Sequence, residues 1–311
     1  MNPGIRRLAL MEGADSATGL AVVESLDGID GNGRHSITLP VALGSNVLFD
    51  LQGATGSMLV SGAVSTISGT TTLTKTGAGR LELTGANTFT GNVFINGGTV
   101  QIAADAGLGN SANDVFIEGP ASTLSVTGSF TLSAGRVLSI GTNGGGIQVA
   151  SGQTLTLGSA NQLTGGGPGT EFRLTGAGTL QLNQPTNLNA TVRINAATLT
   201  LANSATALSG SFDVEGTGRL ILDNSAANVA DRINSTVSLT GGTLELRGHS
   251  TATAESIPSL TLVSGFNTIT NTPGAGGSAL DLAAFSRALR STVNFAGTIG
   301  TASNRIDLPE I

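Results

Sequence analysis

The chain has 311 residues, among them 46 Gly and no Cys, Trp or Tyr, and its 20 acidic against 14 basic residues leave a net charge of −6. Without cysteine there are no disulfides and no thiolate metal ligands, and thinly spread arginines on a net-negative chain exclude a nucleic-acid surface. Charged residues make up 11%, well below the roughly 25% of an average globular protein, yet the aliphatic content suffices for a buried core.

Thr, Val and Ile favour strands, and the many Gly and Asn favour turns. Helix formers are scarce, and Lys75 is the only lysine. The composition predicts an all-β protein. No apolar run approaches the roughly 20 residues that span a bilayer.

At the start, MNPGIRRLALMEGADS sets two arginines before LALM, but Glu12 and Asp15 cut that run too short for a secretory signal. The stretch 4–26 suits either a short amphipathic helix or a pair of covering strands. In either form it could cap a stack, whose terminal strands would otherwise expose unpaired groups. Residues 1–40 are therefore read as a cap or lead-in segment and 41–311 as a repeat domain, with both ends expected to be cuts from a longer chain.

The densest polar cluster is LDGIDGNGRHS, residues 26–36, with Asp27, Asp30, Asn32, Arg34 and His35. Paired carboxylates can act as acid and base on a glycosidic bond. This cluster sits in one turn-rich segment rather than across a rigid face, and it fails the EF-hand spacing. A polar loop is expected, with a weak Ca²⁺ site as the second reading and catalysis as the third.

From residue 73 a phrase recurs. LTKTGAGRLEL (73–83), VFINGGTVQI (93–102), VFIEGPASTLSV (115–126), FTLSAGRVLSI (130–140) and IQVASGQTLTL (147–157) come first. FRLTGAGTLQL (172–182), VRINAATLTL (192–201), FDVEGTGRLIL (212–222) and VSLTGGTLEL (237–246) follow. Each is a short alternating strand, a Gly- or Asn-containing corner and a second alternating strand, so every other side chain points inward. Leu174, Ile194 and Val214 recur at even spacing. A third inward anchor precedes the first strand by four positions at Phe89, Leu188 and Leu208, with Leu108 and Leu163 in longer connections. Strands this short are not stable as isolated hairpins. Stacked as coils of about 20 residues they close a narrow apolar interior, a parallel β-helix of about eleven or twelve coils and on the order of 50–60 Å long. Sandwiches and barrels need longer strands and no fixed period.

Aligning the outward positions places Arg173, Arg193 and Asp213 at one site, with Arg193 and Asp213 as paired stacked neighbours. Phe94 and Phe116 share another outward site, either a small surface patch or a platform for the C–H face of a sugar. Asn96 and Asn195 fall at equivalent corners, where Asn tolerates left-handed φ and stacked amides can form a ladder. The outward residues Glu82, Gln101, Thr200 and Glu245 read as uncharged or isolated. His35 and His249 stand near opposite ends of the chain with no acid cluster beside them, so no metal motif exists. The Gly-rich pieces TNGGG (142–146) and TGGGPGT (164–170) lack the lysine and the strand-to-helix context of a phosphate loop. No cofactor is called for.

The block 73–102 resembles the autotransporter-associated β-strand repeat, through Leu73, Lys75, Gly77, Gly79, Leu81, Leu83, Gly85, Asn87, Phe89, Gly91, Ile95 and Gly98, with Val100 standing where the family has Leu. A weaker copy keeps Gly176, Gly178, Leu180 and Leu182 but loses the lysine. Flanking stretches 228–248 and 291–306 resemble those around such repeats, so the likeness covers roughly 60–308. The resemblance implies a right-handed parallel β-helical segment of a secreted or surface-displayed bacterial protein, in which the repeat assists passenger folding and export. It supplies no catalytic residues, and no translocator barrel is in this chain. Two functions follow as expectations. The first is a rigid non-catalytic stalk or adhesive surface that meets surface glycans or like copies of itself. The alternative is a β-helix that binds, or less readily cleaves, extracellular polysaccharide.

Overall fold

A computed structural model of the chain describes residues 21–25, 34–206 and 210–309. Every strand pair in it is parallel, and the chain winds into a solenoid of about 11 turns with coils of about 24 residues. Three faces run along the stack. The first is built from Ala21–Ser25, Val47–Leu51, Leu73–Thr76, Val93–Ile95, Val115–Ile117 and Leu138–Ile140, each in register with the next. The second runs through Arg34–Ile37, Ser57–Val60, Arg80–Leu83, Thr99–Ile102, Thr123–Val126 and Gly145–Val149. The third begins with Val41–Leu43 on Val64–Thr66, passes a 3-10 turn at Asp105–Leu108, and continues through Phe130–Thr131, Thr154–Leu157, Thr179–Leu182, Thr198–Leu201, Arg219–Asp223 and Thr243–Arg247. The strands Leu163–Thr175, Asn187–Asn195 and Ser259–Thr272 are longer because each bends around a corner and serves two faces.

The inward positions of the second face make one unbroken apolar column. Leu81, Val100, Leu124, Ile147, Leu174, Ile194, Val214, Leu239 and Leu262 stack one on the next, all fully buried. Each such side chain is worth roughly 1.5–3 kcal/mol relative to exposure, which is how strands of three to five residues are held. The anchors Phe89, Leu108, Leu163 and Leu188 are buried as expected, whereas Leu208 lies outside the described residues.

Two expectations need correcting. The coil length is not constant: register partners are 19 apart from Leu180 to Leu199 but 27 apart from Ile147 to Leu174. Only strand registers are constrained by the ladder, so corners such as 166–171, where the register shifts, absorb the difference. The repeated phrase also changes phase along the chain. At 73–83 it bridges the first and second faces, but at 172–182 it bridges the second and third. Phe89 therefore fills the third side and Leu188 the first. The shift enters at 130–140, which runs from the third face to the first. A strand-corner-strand phrase fits any of three corners equally well, so alternation alone carries no label for the face.

Of residues 4–26, the last described stretch, Ala21–Ser25, is a strand paired with Val47–Leu51, so the stack already includes it. The remainder lies outside the described residues.

Candidate functional site

The motif block is built around its corner. Leu73 and Lys75 both point inward, and Lys75 is fully buried in the column that holds Phe49 below it and Ile95 above. Its Nζ donates to the carbonyl oxygens of Thr76 at 2.5 Å, Gly77 at 2.9 Å and Gly97 at 3.2 Å. The lysine thus ties a corner of its own coil to the corner of the next. Burial pushes its pKa down to about 8, with Asp50 partly offsetting the shift. Gly77 has φ 74°, and a Cβ there would lie 2.3 Å from the Leu51 oxygen; Gly79 is crowded by Gly53 and Leu51. In the second copy Gly176 and Gly178 are as tightly seated, against Val149 and Ala150, but the lysine position is taken by the inward Leu174. Leu81, Leu83, Phe89 and Ile95 are core residues, and Gly85 and Gly98 pack against Gly62 and Gly79 of neighbouring coils.

Asn87 explains the asparagine of the motif. Its Oδ1 accepts from the Val64 N–H at 2.8 Å and its Nδ2 donates to the Gly107 oxygen at 2.8 Å, so one side chain joins three coils on the third side. Asn113 joins two coils, accepting from the Gly91 N–H and donating to the carbonyls of Phe89 in the preceding coil and Leu108 in its own. Asn96 and Asn195 form no such ladder. The phase shift puts them at different corners, and neither has a left-handed φ, which falls instead on Ala196, Asn161 and Asn203.

Two buried arginines lie at corners. Arg136 is fully enclosed; its guanidinium meets Asp105 at 3.0 Å and the carbonyls of Leu108, Gly109, Asn110 and Asn113 at 2.7–3.2 Å, fixing the 3-10 turn. Arg232 is held by Asn224 Oδ1 and the carbonyls of Ala205, Asn203 and Ala227. In the next coil the buried Glu255 accepts from the Arg232 backbone N–H and from Asn224 Nδ2. These are structural clamps whose polar groups find hydrogen-bond partners, as burial requires.

On the outside, Phe94 and Phe116 are register partners whose rings stack at 4.9 Å and 12°. The column continues as Thr74 on one side and Ser139 on the other, so the aromatic run is two rings long. Arg193 does lie over Asp213 in register, but the expected pair is replaced. Arg193 bonds Glu215 at 2.8 Å and Glu171 at 2.9 Å, because their longer side chains reach it as diagonal neighbours, two positions along the same ladder. Asp213 is left with a pKa raised mainly by burial and only partly lowered by Arg193. Glu245 is likewise not isolated: it pairs with Arg219 and with Arg247, which also reaches Asp223. We expect Arg193→Met to lower stability by no more than about 1 kcal/mol, as for other exposed pairs; a larger shift of the urea midpoint would show this ladder to be structural.

Of the polar cluster at 26–36, Arg34 is exposed and His35 half-buried on a second-face strand, and Asp27, Asp30 and Asn32 lie outside the described residues. His249 hydrogen-bonds Thr251 in a turn near the other end. Among the described residues no three metal-ligating side chains converge, and no helix is long and apolar enough to cross a membrane. One surface hollow, of about 310 Å³, is lined mainly by Ala, Gly, Ser and Thr near Arg305.

A parallel β-solenoid whose corners are cross-tied in this way is the class the geometry defines. Residues 73–102 match the family described as Passenger-associated-transport-repeat, and the chain therefore carries such a repeat. It is also distantly related to the Adhesin BmaC autotransporter of Brucella suis biovar 1 (strain 1330), with 35% identity over 204 residues. That match takes in 60% of this chain and 6% of the relative, so the chain spans a small part of that protein's length. A solved structure, that of the TibC-catalyzed hyper-glycosylated TibA55-350 fragment, aligns over 88% of this chain and 98% of that one at 14% identity, with a TM-score of 0.28.

Proposed function

We propose that this chain is a rigid, non-catalytic section of the passenger of a secreted or surface-displayed bacterial protein, serving as a stalk or as an adhesive side surface. The passenger-associated repeat at 73–102, embedded in an uninterrupted apolar column, carries the reading. Its buried cations are engaged by carbonyls of neighbouring coils, and most of its surface charges by one another. The relationship to an autotransporter adhesin supports the location and the adhesive variant.

The alternative is a glycan-binding face centred on Phe94 and Phe116. Their mutual stacking covers one face of each ring, whereas a sugar needs an open aromatic face. The geometry favours the stalk. The test is to incubate the purified chain with acidic and neutral polysaccharides, scoring retention and new reducing ends together. We expect neither. Retention lost in Phe94→Ala and Phe116→Ala would make the chain a glycan binder, and new reducing ends abolished by changing Asp27 or Asp30 would make it an enzyme.

A further inference from the structure

Exposed large apolar side chains are rare on this solenoid, and three of the six among the described residues meet at one place. They are Val263 (43% exposed), Phe266 (65%) and Leu289 (94%). Val263 and Phe266 belong to the bend of Ser259–Thr272 between the second and third faces. Leu262 is in register with Arg287 and Gly265 with Ser291, so the bend at 288–290 lies over the bend at 263–264. In the coil below, the same corner is Thr240, Gly241 and Gly242, with no apolar side chain to offer.

The charge of this corner is opposite to that of the chain. Residues 282–306 contain Arg287, Arg290 and Arg305 and no acidic residue, in a protein whose net charge is −6. Arg305 pairs with Asp307. Arg287 donates to the Ser291 carbonyl, and among the described residues neither it nor Arg290 has a carboxylate partner. Several other outward arginines are neutralised by acids on neighbouring strands, as Arg193, Arg219 and Arg247 are. Ser286 to Arg290 are exposed throughout, and Arg290 sits at φ 68°, where most corners of this chain place glycine.

We propose that this corner docks on an anionic lipid surface, with Val263, Phe266 and Leu289 entering the headgroup boundary and Arg287 and Arg290 meeting acidic headgroups. Apolar side chains flanked by unpaired cations suit that environment, where the two contributions add. A second copy of the chain fits worse, since like-on-like packing of this corner would oppose its arginines. A soluble acidic polysaccharide would use the arginines but leave Phe266 and Leu289 in water.

The test is flotation of the full chain with vesicles of phosphatidylcholine alone or mixed with phosphatidylglycerol. We expect co-flotation with the mixed vesicles only, weakened by salt. Arg287→Gln and Arg290→Gln should each weaken it about five-fold, and Phe266→Ser with Leu289→Ser should abolish it. All four residues are exposed, so the fold should survive, which an unchanged circular dichroism spectrum would confirm. Absence of flotation, or equal flotation of the variants, would overturn the proposal. So would binding to dextran sulfate that ignores the serine variant, or concentration-dependent self-association that the serine variant removes.

Discussion

Lys75→Met is expected to destabilise the coils at 73–102 by about 2–5 kcal/mol, although it replaces a buried charge by an apolar side chain of similar length. Three partly buried carbonyls, of Thr76, Gly77 and Gly97, would lose their donor, at about 1–3 kcal/mol each. Against this stands relief from burying an ammonium, whose pKa of about 8 instead of 10.5 measures a cost of about 3 kcal/mol. The carbonyls outweigh the charge. A solenoid yields locally, so hydrogen exchange across 73–102 is the sharper readout, with denaturant unfolding beside it. The lysine also has a pH signature. Between pH 8 and 10.5 the unfolded chain binds more protons at this group than the folded one, so wild-type stability rises through that window, and the Met variant lacks the rise. A neutral or stabilising substitution would mean that charge burial dominates and that the lysine serves only to mark this corner.

The same column shows how much of the molecule is legible in the sequence. Alternation puts Leu73, Leu81 and Ile95 inward, and a parallel stack follows from strands too short to pair otherwise. Alternation also puts position 75 inward, two positions from Leu73 and level with Ile95 one coil later; that is the available signal for a buried lysine. Arg136 and Arg232 have no such signal. They leave corners of irregular length and reach carbonyls of the preceding coil, a relation no local pattern encodes. The asparagine ladder is legible as a kind of contact but not in its place, because Asn96 and Asn195 look alike in the phrase and sit at different corners. Pairing of Arg193 with Glu171 and Glu215 rather than Asp213 depends on side-chain reach to diagonal neighbours, which alternation alone does not specify. The apolar, basic corner at 263–290 leaves no local signature because its residues come from two coils and look like ordinary strand positions.

The second large effect is expected at Glu255, where stability should fall as pH rises from about 4.5 to about 7. Glu255 is 1% exposed, and burial pushes its pKa up to about 7 despite hydrogen bonds from Asn224 and the Arg232 N–H and the nearby Arg232 charge; Asp231 pushes the same way as burial. Arg232 is itself shifted down by burial, so the pair meets in a region that disfavours both charges. Between pH 4.5 and 7 the folded chain holds a proton here that the unfolded chain has released. The stabilisation is therefore complete below about 4.5 and is lost as pH climbs through 7. At about 1.4 kcal/mol per pH unit the change amounts to about 3 kcal/mol. Glu255→Gln cannot ionise, so the wild-type and variant stabilities should converge or cross as pH rises, their difference moving by that amount. Asp213, its pKa also raised by burial, acts in the same sense, but groups common to both proteins cancel from the difference. The measurement is denaturant unfolding of both proteins at intervals from about pH 4.5 to 8, with hydrogen exchange at 224–232 to locate the effect. Parallel curves would show Glu255 ionised in the fold, and would mean that Arg232, although its guanidinium already meets four oxygens, still compensates the carboxylate across the loop.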